Sequence, residues 1–226
     1  MKAVVFDLDN TLFDHTGSAG RALRAWIAEL GVVPTDELVA EWFEIEDRVY
    51  DAYLRRELTH QGQRRARLRA FLPVLGREVP ATDAELDVVF EGYLQQYRGN
   101  WVAFPDARPT LEVARGNGWR IGVLTNGNTV QQNAKLKAIG LAELVDVVCA
   151  SESLGVSKPD PLAYQHVCEA LGVEPSDALM IGDNLELDVL APQAAGLSAR
   201  HLDRATGGTL LDLLSDDPPP HHSPKN

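Results

Sequence analysis

Near its amino terminus the chain reads A-V-V-F-D-L-D-N-T-L over residues 3–12. The first four residues form an apolar, β-branched run that is too short for a helix and is typical of a buried strand. Asp7 and Asp9 follow this run directly, so both carboxylates are expected near the carboxyl end of the strand. Two hard oxygen donors at this spacing suit Mg²⁺, although an isolated pair of aspartates is more often a turn or a cap. The pair therefore predicts a metal site only together with further residues from the rest of the chain.

Further short apolar runs predict strands at residues 120–124, 145–148 and 178–181. Stretches with helical periodicity lie between or after these runs, at residues 108–117, 130–139, 162–171 and 188–195. Strands that alternate with helices predict an α/β fold built on a doubly wound parallel sheet.

The segment between the first and second strands has a different pattern. It shows helical periodicity without a good strand run, and helices are expected at residues 19–30, 36–58, 64–75 and 83–97. An all-helical insertion at this point should sit above the carboxyl end of the first strand, where a substrate lid belongs. The domain boundaries that we expect are an α/β core over residues 1–14 and 102–214, a helical cap over residues 15–101 and a flexible tail over residues 215–226.

Charge and composition exclude several classes of function. The 226 residues carry 33 acidic and 21 basic side chains, for a formal net charge of −12, so the overall field repels nucleic acid and anionic membrane surfaces. No apolar segment is long enough for a signal peptide or a membrane span, which predicts a cytoplasmic protein. Cys149 and Cys168 lack metal-ligand companions and fit ordinary buried thiols in a reducing compartment. Nothing in the sequence indicates the oligomeric state.

Two later loops carry groups that could bind a phosphate. Thr125 and Asn126 follow the second strand and offer a hydroxyl and backbone N–H groups ahead of a helix, an arrangement that can cradle a phosphate. Lys158 lies in a proline-flanked loop that could hold its ammonium in place as a counter-charge. Each feature by itself is an ordinary loop.

A further pair of acids follows the fourth strand. Asp183 lies just past the strand end, and Asp188 opens the next helix. Open α/β sheets bind ligands at the carboxyl ends of their strands, so Asp7, Thr125 and Asp183 are expected to converge at one edge. Carboxylates, a hydroxyl, amide donors and a fixed cation together make up the groups that phosphoryl transfer requires.

In order and spacing, the motifs at residues 7–12, 125–126, 158 and 182–188 resemble those of the haloacid dehalogenase superfamily. The resemblance spans the whole α/β domain and implies a Rossmann-like core with an inserted helical cap of the first cap type. It further implies a Mg²⁺-dependent phosphohydrolase that acts on a small phosphorylated metabolite.

The resemblance also implies a role for each motif residue. Asp7 would attack phosphorus and form an aspartyl-phosphate, while Asp9 would protonate the leaving alcohol and later activate water. The implied magnesium ligands are Asp7, the main-chain carbonyl of Asp9, and Asp183, with Asp188 supporting the metal shell. The implied phosphate-binding groups are Thr125, the Asn126 amide and Lys158.

Several alternatives stay open at this point. The dehalogenases of the superfamily lack an acid at the position of Asp9, so Asp9 favours phosphate esters, but a phosphomutase would carry the same motifs. A non-catalytic relative that binds a phosphorylated metabolite is a further alternative, whereas the motif order disfavours a phosphoaccepting receiver domain. The identity of the substrate is not indicated. The basic stretch from Arg55 to Arg69 could contact a second anionic group, or it could be a solvated helix face that balances acidic neighbours.

Overall fold

The computed structural model describes residues 3–215 and contains a parallel five-stranded sheet in the order β3-β2-β1-β4-β5. Its strands are β1 (Ala3–Phe6), β2 (Arg120–Thr125), β3 (Val147–Ala150), β4 (Ala178–Gly182) and β5 (Ser198–His201). The chain winds from central β1 first to β2 and β3 and then to β4 and β5 on the other side, which confirms the predicted doubly wound fold. Apart from Ser215, the predicted tail lies outside the described residues.

The three central strands end in register at the same edge of the sheet. Phe6 of β1 lies opposite Val123 of β2 and Ile181 of β4. All four residues of β1 are buried, as expected for a parallel strand covered on both faces. Whatever follows these strands is therefore brought to one place.

The described residues form two compact units, one of residues 16–100 and one of residues 3–15 with 101–215. The helices of the first region are α1 (His15–Glu29), α2 (Asp36–Leu54), α3 (His60–Val74) and α4 (Asp83–Gly99). Threonine hydroxyls cap three of these helices by accepting backbone N–H groups, at Thr35, Thr59 and Thr82. The helical unit packs around Trp42, whose ring centroid lies 5.0 Å from that of Phe71 and 4.8 Å from that of Tyr93.

The basic stretch of the helical unit is engaged within that unit. Arg65 pairs with Asp83 at 2.7 Å and with Asp87 at 2.6 Å, in line with a helix face that balances acidic neighbours. Arg67 differs, because it is buried, pairs with Glu46 at 2.8 Å and lies 4.4 Å from the centroid of the Trp42 ring.

The α/β unit continues after the insertion. Its helices are α5 (Ala107–Gly116), α6 (Thr129–Ala138), α7 (Ser151–Leu154), α8 (Pro161–Leu171), α9 (Ala191–Ala194) and α10 (Leu210–Ser215). Over residues 3–215, no helix combines the length and the apolar character that crossing a bilayer requires.

Three elements of the α/β unit differ from the sequence-based expectation. The helix expected at residues 188–195 is a π-helical turn, Leu185–Leu190, followed by short α9. Pro192 has no N–H to donate to the Asp188 carbonyl, which interrupts the α-helical hydrogen-bond ladder there. The third strand begins at Val147 rather than at residue 145, and β5 was not expected. The sequence of β5, S-A-R-H, has no apolar alternation because it forms a partly exposed edge strand.

Candidate active site

The residues singled out in the α/β unit converge at the carboxyl edge of the sheet. Asp7 comes one residue after β1, Thr125 is the last residue of β2, and Asp183 comes one residue after β4. The Asp7 N–H donates to the Ile181 carbonyl at 3.0 Å, which extends the pairing of β1 with β4 past the strand end. Because β1 lies between β2 and β4, the chain reverses its winding direction beside this edge, the usual location of ligand sites in such sheets.

Three carboxylates form a cluster at this edge. Asp7, Asp183 and Asp188 each offer a carboxylate oxygen, and these oxygens all lie within 4.8 Å of one another. The Lys158 Nζ atom donates to Asp7 Oδ1 at 2.7 Å and to Asp188 Oδ1 at 2.6 Å. Asp7, Lys158 and Asp188 are buried, so water does little to screen their charges. One ammonium therefore faces an excess of negative charge.

Burial and this excess of negative charge together shift the pKa values of the cluster. Burial raises the pKa of Asp7 to about 7, assisted by the charges of Asp188 and Asp183 and opposed by Lys158. Burial and the charge of Asp188 likewise raise the pKa of Asp183. Burial disfavours the charged form of Lys158, but the two carboxylates it contacts outweigh this effect and raise its pKa above the ordinary value.

The donor set fits a hard divalent cation. Carboxylate oxygens are the ligands that Mg²⁺ prefers, and a cation placed among them would offset the charge that raises the pKa values of Asp7 and Asp183. The side chains that could hold such an ion are therefore those of Asp7, Asp183 and Asp188.

The loop after β4 positions Asp188 through local hydrogen bonds. The Asn184 N–H donates to Asp188 Oδ2 at 3.1 Å, and the Asn184 side chain caps the π-helical turn by accepting from Glu186 and Leu187 N–H groups. Gly182 makes room for this arrangement, because a Cβ atom there would lie 2.3 Å from Asp188 Oδ2. The glycine of this motif is thus required by the close approach of a carboxylate.

Asn126 links the second strand end to the lysine loop. Its side-chain Nδ2 donates to the Lys158 carbonyl at 2.9 Å, and its Oδ1 accepts from the Lys158 N–H at 2.9 Å. This reciprocal pair fixes the main chain from which the Lys158 side chain extends toward Asp7. The side chain of Asn126 is therefore engaged with the protein, whereas its main-chain N–H is the part suited to an anion.

Asp9, two residues after Asp7, lies in a second polar environment with different partners. The Lys135 Nζ atom donates to Asp9 Oδ1 at 2.5 Å, and the Gln132 Nε2 atom donates to Asp9 Oδ2 at 3.0 Å. Gln132 Nε2 also donates to Thr125 Oγ1 at 2.7 Å. Burial tends to raise the pKa of Asp9, but Lys135, His15 and the two hydrogen bonds outweigh it and lower the pKa to about 2.

Sequence reasoning missed three residues that hold this site together. Gln132 and Lys135 are both buried and lie three residues apart on α6, so a polar pair on the inner face of a helix was the available signal. Arg204 donates to the Thr11 carbonyl at 2.7 Å, pairs with Asp106 at 3.1 Å and stacks at 3.6 Å over the Phe104 ring. It steadies the loop that follows Asp9 from a segment with no motif of its own.

Known proteins are similar to this chain in sequence and in structure. The family model that describes haloacid dehalogenase-like hydrolases matches residues 1–196 of the sequence. Phosphatase MT3486 of Mycobacterium tuberculosis is 33% identical over 95% of this chain and 94% of its own length. The phosphoglycolate phosphatase of Neisseria meningitidis is 30% identical over 96% of this chain and 86% of its own length.

Among solved structures, the magnesium-bound HAD-hydrolase YfnB from Bacillus subtilis superposes with a TM-score of 0.75 and 22% identity, covering 89% of this chain and 86% of that one. Dehalogenases are also among the solved structures with this fold. The comparisons confirm the resemblance drawn from the motifs and the predicted enzyme class, a hydrolase of the phosphatase type. Hydrolases of this family generally use a divalent metal ion.

Proposed function

Because the chain belongs to the haloacid dehalogenase-like hydrolase family, we propose that it is a Mg²⁺-dependent phosphatase of small phosphorylated metabolites that works through an aspartyl-phosphate. The observation that carries this proposal is the group of three carboxylates, two of them buried, with a single lysine between the buried two. The group contains a nucleophile, and its surplus negative charge requires a cation. The phosphatase relatives support a phosphate ester as the substrate.

The first step is transfer of the phosphoryl group to Asp7. A carboxylate oxygen of Asp7 attacks phosphorus, the bond from phosphorus to the ester oxygen breaks, and the departing oxygen takes a proton from Asp9. The bond from Lys158 to Asp7 Oδ1 fixes the orientation of the attacking carboxylate. When bound, Mg²⁺ would offset negative charge on the phosphoryl oxygens, held by Asp7, the Asp9 carbonyl and Asp183, with Asp188 in support.

The second step hydrolyses the aspartyl-phosphate. Water attacks phosphorus, its proton passes to Asp9, and phosphate leaves with regeneration of the Asp7 carboxylate. The low pKa of Asp9 leaves its carboxylate ionised at neutral pH, the form that accepts a proton from water. In the first step the same group must carry a proton, and the negative charge of a bound phosphate ester would raise its pKa toward that form.

The phosphate-binding groups come from two loops. We assign this role to the Thr125 hydroxyl, the main-chain N–H of Asn126 and the Lys158 ammonium. Thr125 terminates β2 and precedes the start of α6, so backbone N–H groups are available there for an anion. The mutual bonds between Asn126 and Lys158 keep the two loops at a fixed spacing.

The alternatives make different demands on Asp9. A halide departs without a proton, so a dehalogenase has no use for an acid at this position, whereas an ester oxygen requires one. A phosphomutase would use the same residues but would return the phosphoryl group to a sugar instead of to water. A protein that only binds a phosphorylated metabolite would not need the paired nucleophile and acid.

The test is the release of phosphate from p-nitrophenyl phosphate and from a panel of phosphorylated metabolites, with Mg²⁺ and with a chelator. We expect metal-dependent turnover that falls by at least about 10³-fold in Asp7→Asn, because the nucleophile is lost. Asp177→Asn is the matched control, since Asp177 is exposed at the opposite end of β4 and should leave turnover unchanged. Undiminished turnover in Asp7→Asn would refute the mechanism, and a folded wild-type protein that releases no phosphate would favour a mutase or a binding protein.

A further inference from the structure

The helix α6 presents two polar side chains to the acid that follows β1. Gln132 and Lys135 are each 2% exposed, although both residue types usually lie at the surface. Burying an ammonium is costly unless a charged partner is present, and the Asp9 carboxylate is such a partner for Lys135. The Lys135 Nζ atom also lies 4.9 Å from the centroid of the Phe13 ring, which closes one side of its position.

Both oxygens of the Asp9 carboxylate are bound by this helix. Lys135 donates to Oδ1 at 2.5 Å and Gln132 donates to Oδ2 at 3.0 Å, so rotation of the carboxylate about its own axis is restrained at two points. An ionised carboxylate offers about four lone-pair sites, so each bound oxygen can still face a reacting group. The restraint is therefore compatible with proton transfer.

Gln132 also connects Asp9 to the hydroxyl that we assign to phosphate binding. Its Nε2 atom donates to Thr125 Oγ1 at 2.7 Å as well as to Asp9. The absence of a side chain at Gly127 allows this position, because a Cβ atom there would lie 3.1 Å from Gln132 Nε2. One side chain thus sets the distance between the acid and the phosphate-binding loop.

From these contacts we infer that Gln132 and Lys135 are positioning residues, which hold the Asp9 carboxylate at the place where the leaving oxygen of the substrate receives its proton. The inference rests on the proposed function, because Asp9 must act as the proton donor. It adds that α6, which contains none of the recognised motifs, controls how well the enzyme expels leaving groups that need protonation.

The dependence of rate on the leaving group tests this role. p-Nitrophenolate leaves readily as an anion, whereas phenol, with a pKa of about 10 like a tyrosine side chain, requires a proton. We expect Lys135→Met to lower kcat/KM for phenyl phosphate by about 30-fold, part of the 10²–10⁴-fold typical of acid–base catalysis. The value for p-nitrophenyl phosphate should fall by less than about threefold. Lys137→Met, which changes an exposed lysine of the same helix, should alter neither value.

Two further variants separate positioning from a general structural effect. Gln132→Leu removes a hydrogen bond without removing a charge, and it should give the same selective loss with phenyl phosphate. In an Asp9→Asn background, Lys135→Met should cause no further loss, because its effect passes through Asp9. Equal losses with both substrates, an additional loss in the Asp9→Asn background or a gain with phenyl phosphate would overturn the inference.

A measurement that does not depend on turnover keeps the two proposals apart. The unfolding midpoints of Lys135→Met, Asp9→Asn and the double variant should be non-additive, since the two side chains contact each other. Additive shifts would overturn the positioning role even if the enzyme is active. A wild-type protein with non-additive shifts but no phosphate release would instead overturn the proposed function.

Discussion

Asp7 and Asp9 are separated by one residue, and each contacts a buried lysine, but the charges around the two contacts differ. Lys158 is shared between Asp7 and Asp188, with Asp183 close to both. Lys135 pairs with Asp9, whose second oxygen is bound by the neutral amide of Gln132. The first environment therefore has more negative than positive charge, whereas in the second one ammonium matches the Asp9 carboxylate.

This difference separates the chemistry of two identical side chains. The pKa of Asp7 is raised to about 7 while that of Asp9 is lowered to about 2, although burial tends to raise both. Surroundings that move the pKa values of neighbouring acids apart are a common way to give them separate roles in catalysis. A site short of positive charge suits a metal ion, and a balanced pair suits the fixed placement of one acid.

Removal of Lys158 should have the largest effect. Lys158→Met leaves buried carboxylates without their counter-charge, and breaking a buried ion pair costs about 3–5 kcal/mol. We expect a loss of about 3 kcal/mol in the free energy of unfolding, measured by urea denaturation in the presence of a chelator. Lys135→Met should cost only about 1 kcal/mol, because the Asp9 side chain is 30% exposed and water can stabilise its charge.

Each variant is the control for the other, since both replace a buried lysine by methionine. Mg²⁺ should restore part of the stability of Lys158→Met, because a cation can replace the missing charge, and should restore little in Lys135→Met. Equal losses in the two variants, or equal recovery with Mg²⁺, would mean that the two environments do not differ in charge balance.

The pH dependence of metal binding should have an intermediate effect. A carboxyl whose pKa is raised on folding adds stability below its unfolded pKa of about 4, and this stability is lost as the pH rises through the folded value of about 7. In the proposed mechanism Mg²⁺ binds the ionised form and displaces the proton, so its stabilisation should grow between pH 5.5 and 7.5 and level off above. A ligand at one hundred times its dissociation constant contributes about 2.7 kcal/mol.

Thermal unfolding with and without Mg²⁺ at a series of pH values measures this linkage. In Asp7→Asn the pH dependence of the Mg²⁺ effect should be flattened, because the titrating ligand is gone. An increase in melting temperature that is the same at pH 5.5 and pH 8.5 in the wild-type protein would contradict the assignment of Asp7 as a metal ligand that must lose a proton.

The fold could be predicted where the sequence pattern reports burial directly. Residues 3–6 form an unbroken apolar run because β1 is covered on both faces. The bounds of β2, β4, α5, α6 and α8 were predicted within one or two residues. The edge strand β5 was missed because only one of its neighbours is a strand and its residues are partly exposed. The π-helical turn was missed because the periodicity of a sequence does not distinguish π-helical from α-helical hydrogen bonding.

The part of the site that adjoins strand ends could be predicted from the strand pattern, and Lys158 and Asp188 were expected from the family resemblance. Asp7, Thr125 and Asp183 were expected to converge, because parallel strands bring their carboxyl ends to one edge. Gln132, Lys135 and Arg204 could not be placed this way, since each reaches the site from a helix or loop through a long side chain. Their positions depend on side-chain packing, which spacing along the chain does not encode.

The smallest expected effect concerns the space beside Gln132. A Cβ atom at Gly127 would lie 3.1–3.3 Å from three atoms of the Gln132 side chain, so Gly127→Ala should move that side chain by a few tenths of an ångström. Because Gln132 binds both Asp9 and Thr125, we expect kcat/KM for phenyl phosphate to fall about threefold, a small part of the 10²–10⁴-fold typical of acid–base catalysis. Gly116→Ala, with no atom within 4 Å of the added Cβ, is the matched control and should leave the rate unchanged. If the two variants reacted equally fast while Gln132→Leu was selectively slow, the contact of Gln132 would matter but its exact position would not.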